Sequence, residues 1–216
     1  MDASDRPRQA APATGSGAAP SADSSSGATG SGATSSGAAG SAGSSSASSV
    51  PPAPTVQVRP ARPEDAPAIA ALAAELNAHQ GDPSDQFPAE VVQRDGFGPR
   101  PKFQVLVAEH QGQVVGYAML LPAYETGWGS DGLYMSDLHV GHGHRRLGIG
   151  RALMVACAQE VRRQGKGYLW WASRAWNEPA QAFYRALGAY EEPIFAHSLD
   201  AEGVERLARG ETASPG

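Results

Sequence analysis

Apolar positions recur along this chain with two different periods, and each change of period marks an element. Val56 and Val58 alternate with polar neighbours up to Pro60, which predicts a short strand. Pro63-Glu64-Asp65 then opens a helix, because proline fits a first turn and acids complement the positive helix end. Ile69, Leu72 and Leu76 recur at helical spacing and predict a buried stripe running to about His79. A short helix is expected near 89–94, before the turn Gly96-Phe97-Gly98-Pro99. Residues 103–109 and 114–121 are apolar, β-rich runs on either side of the polar turn 110–113, the pattern of a hairpin. A further strand is expected over 133–140. From Gly148 the period becomes helical, with Ile149, Leu153, Cys157 and Val161 on one face. Arg162, Arg163 and Lys166 lie near the negative end of that helix. Residues 168–172 read as a strand, 179–187 as a helix stopped by Gly188, 195–199 as a late strand and 201–209 as a last short helix. The order predicts a mixed α/β (α+β) domain with antiparallel and parallel pairing.

Composition then confines this domain to part of the chain. Residues 24–49 are all Gly, Ser or Ala except Thr29 and Thr34, so they offer almost no side chain to bury against the entropy of ordering a backbone. Residues 1–54 are therefore expected to be a disordered tail, and 55–216 a single folded domain. The whole chain has 17 Lys and Arg against 22 Asp and Glu, a net charge of −5. Five of those charges, Asp2, Asp5, Arg6, Arg8 and Asp23, lie in the tail, leaving an acidic domain. Such a domain lacks the basic face that nucleic acid needs and is better suited to a cationic small molecule. The single cysteine, Cys157, excludes an internal disulfide and a cysteine-rich metal site. No run approaches the roughly 20 apolar residues of a membrane span. Arg6 and Arg8 are followed by no apolar stretch of the secretory type, so the expectation is a soluble, cytoplasmic protein.

The most informative segment is Val140-Gly141-His142-Gly143-His144-Arg145-Arg146-Leu147-Gly148-Ile149-Gly150-Arg151. It leaves a strand, turns through glycines and enters a helix, where free backbone N–H groups and the positive helix end can hold a phosphate. A Walker loop would need Lys where Ile149 stands, and a dinucleotide fingerprint would need Gly where Leu153 stands. What remains, Arg145-x-x-Gly148-x-Gly150 after a strand, resembles the acetyl-CoA pyrophosphate loop of the GNAT superfamily of N-acetyltransferases. Trp176-Asn177-Glu178-Pro179-Ala180, with Phe183-Tyr184 and Leu187-Gly188-Ala189, resembles the Asn…Phe-Tyr…Gly segment of the same superfamily. Together with Asp95-Gly96-Phe97-Gly98 and Leu133-Tyr134-Met135-Ser136-Asp137, it is similar to the spermidine/spermine N-acetyltransferase branch over roughly residues 58–189.

The resemblance implies a central mixed sheet flanked by helices, with two splayed parallel strands forming an acetyl-CoA cleft. It places backbone hydrogen bonds to the co-substrate at Leu138, His139 and Val140. The pyrophosphate would lie on Arg145, Arg146, Leu147, Gly148, Ile149, Gly150 and Arg151, and the CoA arm along Asn177, Glu178, Pro179, Ala180 and Tyr184. Tyr184 takes the position of the family's general acid, and Asp137 is the candidate base. His79, Gln80, Ser136 and Asp137 fall where acceptor contacts lie. The branch carries two adjacent acids where this chain has Ser136-Asp137, so the polyamine itself does not follow. The expected activity is acetyl-CoA-dependent acetylation of a primary amine on a small cationic acceptor, polyamine-like or amino-acid-like. Acetylation of protein amines and a non-catalytic acyl-CoA sensor are the alternatives. The branch also implies a homodimer, with strand 195–199 pairing or exchanging between subunits. His139, His142 and His144 are close in sequence, but no acid stands among them at a familiar ligand spacing, and no metal is expected.

Overall fold

The computed structural model describes residues 56–211, so the expectation for residues 1–54 lies outside the described residues. The described residues form two compact units, divided after Trp171.

The first unit is built on a five-stranded sheet in the order β1 (Gln57–Pro60), β2 (Gln104–His110), β3 (Gln113–Glu125), β4 (Ser130–Val140) and β5 (Tyr168–Trp170). β1 to β4 are antiparallel neighbours, and β5 joins β4 in parallel. The β2–β3 hairpin turns through Gln111 and Gly112, both at positive φ (53° and 77°), the conformation whose twist matches the flanking strands.

Alternation along the strands divides the core into two layers. Val105 and Val107 pair with Met119 and Tyr117, and these four pack with Ile69, Leu72 and Leu76 of helix α1 (Ala66–Gln80) and Val92 of helix α2 (Ala89–Gly96). Helix α3 (Ile149–Arg163) packs against β2, β3 and β4 and buries Ile149, Leu153, Met154, Cys157 and Val161. Each fully buried aliphatic side chain of this kind contributes about 1.5–3 kcal/mol. Cys157 is buried and its thiol is pushed up to about 12 by burial, so it behaves as small core packing.

The start of α1 is pinned by charge. The Asp65 carboxylate accepts from the Arg62 backbone N–H at 2.7 Å and from the Arg59 guanidinium at 2.7 and 3.0 Å, while Arg59 also reaches Glu109. The guanidinium holds the Asp65 carboxyl below its usual range. Asp95 is likewise bound by Arg94 and Lys102, which gives the Asp95-Gly96-Phe97-Gly98 turn a structural anchor.

The second unit, from Ala172, contains α4 (Glu178–Ala186) and α5 (Ala201–Ala208). The strand expected over 195–199 does not form: residues 189–200 carry no regular structure and Phe195 is 92 % exposed. Pro193 has no N–H to give, and an extended run without a neighbouring strand leaves its backbone groups unpaired. β5 is also shorter than expected and ends at Trp170. Among the described residues, no helix is long and apolar enough to cross a membrane.

Candidate active site

β4 carries the site because its two edges are treated differently. It pairs with β3 along its length but with β5 only from Gly132 to Tyr134, opposite Tyr168 to Trp170. Beyond Tyr134 the β5-side edge of β4 has no strand partner among the described residues, so backbone groups of the stretch reaching Leu138, His139 and Val140 could hydrogen-bond a ligand. This edge fits an extended amide-bearing arm such as that of CoA.

A bulge in β4 then decides which side chains face which layer. Met119 pairs with Asp137 and the next β3 residue, Leu120, with Met135, so Ser136 is the extra residue. Without it, Met135 and Asp137 would share a face. With it, Asp137 and His139 join Met119 and Tyr117 on the layer covered by α1, whereas Met135 stays with Leu120 on the other. The Ser136 hydroxyl is buried with no hydrogen-bond partner among the described residues.

On the α1 side, the Tyr117 hydroxyl donates to Asp137 Oδ2 at 2.9 Å. Burial pushes the Asp137 carboxyl above the usual carboxylate range, and the Tyr117 hydrogen bond opposes that shift. Burial, reinforced by the neighbouring Asp137 charge, raises the Tyr117 phenol and keeps it a donor. The folded state therefore favours protonated Asp137. That contribution is fully present below the unfolded carboxyl's pKa and is lost as pH rises through the folded value. Where it is ionised, the carboxylate is held at a cost, which disposes it to take up a proton.

Two residues along the same face, His139 Nε2 lies 3.2 Å from Glu75 Oε2, and the same oxygen is 3.4 Å from His142 Nδ1. The His139 side chain is 3 % exposed, against 44 % for Glu75 and 63 % for His142. Burial lowers the His139 pKa, although Glu75 works against it, and the His139 hydrogen bond lowers that of Glu75. The two directions agree on one state, a neutral imidazole donating Nε2–H to a carboxylate.

The glycine loop leads from β4 into α3. Arg145 Nε donates to the Val140 carbonyl at 3.1 Å and closes the loop on its own strand. Arg146 adopts φ 63° and Gly148 φ 78°. A non-glycine residue in that region is held there by its surroundings and is a mark of functional loops. The first intrahelical bond runs from Ala152 N–H to Gly148 O at 3.0 Å, so the N–H groups of Ile149, Gly150 and Arg151 precede the helical ladder. A Cβ at Gly148 would meet nothing within 4 Å. Open space before a helix N-terminus, with Arg145, Arg146 and Arg151 close in sequence, fits a pyrophosphate.

In the second unit, Asn177 caps α4, its Oδ1 accepting from the Ala180 N–H at 3.2 Å, with Pro179 in the first turn. Gln181 Nε2 ties the helix to the Arg174 and Ala175 carbonyls. Glu178, Ala180 and Tyr184 lie on this same helix. His79 and Gln80 end α1 in the first unit. His144 stands edge-on to His110 at 5.8 Å, while His139 and His142 meet Glu75. Sequence reasoning missed Tyr117 and Glu75. Tyr117 lies within the apolar run 114–121, and the available signal for Glu75 is its place three residues after the buried Leu72, beside the apolar stripe of α1.

Residues 70–189 match the model of the acetyltransferase (GNAT) family. The chain is 34 % identical over 167 residues to thialysine N-epsilon-acetyltransferase of Bos taurus, spanning 71 % of this chain and 97 % of that one. The chain belongs to the GNAT acetyltransferase family. It is 30 % identical over 103 residues to an L-ornithine N5-acetyltransferase of Arabidopsis thaliana, 48 % of this chain and 42 % of the relative. Among solved structures, an aminoglycoside N-acetyltransferase in complex with CoA superposes with a TM-score of 0.58 at 18 % identity, over 70 % of this chain and 99 % of the other. As a GNAT protein the chain is an N-acetyltransferase of a family that uses acetyl-CoA.

Proposed function

We propose that residues 55–216 transfer the acetyl group of acetyl-CoA to a primary amine of a small cationic acceptor, of the diamine or basic amino-acid type. The observation that carries this reading is Asp137, a half-buried carboxylate beside the open edge of β4. A partly desolvated carboxylate attracts an ammonium and can remove its proton. The named activities of the thialysine and ornithine relatives support the same acceptor class.

Bound acetyl-CoA supplies the acetyl group as a reactive thioester. The backbone of Leu138, His139 and Val140 orients it, and an N–H of this stretch stabilises charge on the carbonyl oxygen, a contribution of about 3 kcal/mol. Arg145, Arg146 and Arg151, with the α3 N-terminus and the small residues of the loop, hold the pyrophosphate. Asn177, Glu178, Pro179 and Ala180 line the arm. Asp137 takes the ammonium proton and frees the nitrogen lone pair. Tyr184 donates to the departing sulfur, its phenol being comparable in basicity to a thiolate. Ser136, with its unpaired hydroxyl, joins Asp137, His79 and Gln80 in recognising the acceptor. A homodimer follows from the branch resemblance, and light scattering giving a monomer mass at micromolar concentrations would refute it.

Asp137→Asn removes the base while keeping the shape. Its turnover of a small diamine is expected to fall about 10²-fold or more, with acetyl-CoA affinity retained. Unchanged turnover would remove Asp137 from the mechanism. Tyr117→Phe tests the same carboxylate from behind. Loss of a hydrogen bond to a charged group is worth about 1.5–3 kcal/mol, or about one to two pKa units. The acid limb of the kcat/KM profile for the amine is therefore expected to move to higher pH by that amount; a limb that stays in place speaks against Asp137 as the titrating group.

A further inference from the structure

We propose that Glu75 and His139 form a carboxylate-supported proton acceptor that relieves Asp137 of the proton taken from the acceptor amine. The inference rests on the proposed role of Asp137 and extends it to the side chains of Glu75 and His139, the latter meeting acetyl-CoA in that reading through its backbone alone.

Asp137 and His139 are two residues apart on one strand and face the same layer, so their backbones are separated by about 6–7 Å. Tyr117 ties them together: it stands opposite His139 in the register, yet its hydroxyl reaches Asp137. The proposed transfer from carboxylate to imidazole runs through one water across that separation. Glu75, acting only as an acceptor when ionised, fixes His139 with its proton on Nε2 and leaves a lone pair on Nδ1. The surrounding titratable and charged groups are Glu75 from α1, His142 and Arg145 from the loop after β4, Asp137 on the same strand and Tyr117 on β3. Of these, Glu75 stabilises an imidazolium, whereas Arg145 and His142 oppose it.

The proton balance needs such a group. An ammonium loses one proton before its nitrogen can form the new N–C bond, and a second once that bond exists. The sulfur released by C–S cleavage takes up one, so one proton per acetyl transferred must leave the site. Asp137 receives the first and passes it through water to His139 Nδ1. The resulting imidazolium is paired with Glu75. It returns the proton from Nδ1 to water after the product has left, so His139 regains its starting tautomer. His139 acts through Asp137 and is a positioning residue for proton removal.

The test uses the full chain. Glu75→Gln alters a half-exposed helix position, and His139→Phe keeps the buried volume apolar. Nuclear magnetic resonance titration of 15N-labelled histidines in the wild type without substrate should show His139 as the Nε2–H tautomer, titrating below an ordinary histidine and lower still in Glu75→Gln. With acetyl-CoA and a small diamine, His139→Phe should lower kcat by about 10–100-fold, move the acid limb of its pH profile and leave the Kd for acetyl-CoA unchanged. A purely structural role would change the melting temperature without moving that limb. An Nδ1–H tautomer, a His139 titration unaffected by Glu75→Gln, or a wild-type pH profile in both variants overturns the proposal. Wild-type turnover of the diamine is read separately. Its absence would instead sink the acetylation reading.

Discussion

Tyr184→Phe is expected to lower kcat by about 10²–10⁴-fold while the Kd for acetyl-CoA stays within about twofold. The substitution removes one hydroxyl and keeps the ring. α4 keeps the Asn177 cap, Pro179 in the first turn and the Gln181 side-chain bonds to Arg174 and Ala175 in the variant, and the ring stays beside Phe183. The loss should therefore fall on the step in which sulfur departs. Without that donor the sulfur departs as the bare thiolate or with a proton from water, and either route forgoes the general-acid contribution. The measurement is single-turnover acetyl transfer, where product release does not mask chemistry. Wild-type rates there would remove Tyr184 from the acid role.

Gly148→Glu is expected to weaken acetyl-CoA binding by about 10²-fold or more and to leave the domain folded. A Cβ at this position meets no atom within 4 Å, so the folded state accepts it apart from the cost of φ 78° for a side-chain-bearing residue. That backbone strain is of order 1 kcal/mol, and the Gly148→Ala variant measures it alone. The glutamate additionally puts a carboxylate where the loop and the α3 N–H groups are proposed to hold the pyrophosphate, and like charges in contact cost several kcal/mol. In the free protein the same carboxylate complements the helix end, so stability should change little. Calorimetry that returns wild-type affinity from a folded Gly148→Glu variant would locate the pyrophosphate elsewhere.

The elements were legible where one period dominated. Ile69, Leu72 and Leu76, or Ile149, Leu153, Cys157 and Val161, can satisfy burial only as helical faces, and all seven are buried. The run 195–199 misled because alternation records that a segment would suit a sheet, not that a strand is available to pair with it. The glycine loop was legible because Gly148 must take a backbone conformation that few other residues tolerate. The polar interior was not. Ser136 as a bulge, the register that turns Asp137 and His139 toward α1, and the meeting of Glu75 with a histidine 64 residues away depend on strand pairing, which no local pattern records.

The most direct test of the account is thiol release from acetyl-CoA by the full-length protein, measured against a panel of small diamines and basic amino acids with the acetylated amine quantified in parallel. Acetyl transfer to a small cationic amine predicts saturable turnover, one free thiol for each acetylated primary amine, with at least one small cationic acceptor strongly preferred over peptides. Tight acetyl-CoA binding without turnover of any amine in the panel, or turnover confined to peptide amines, would contradict it.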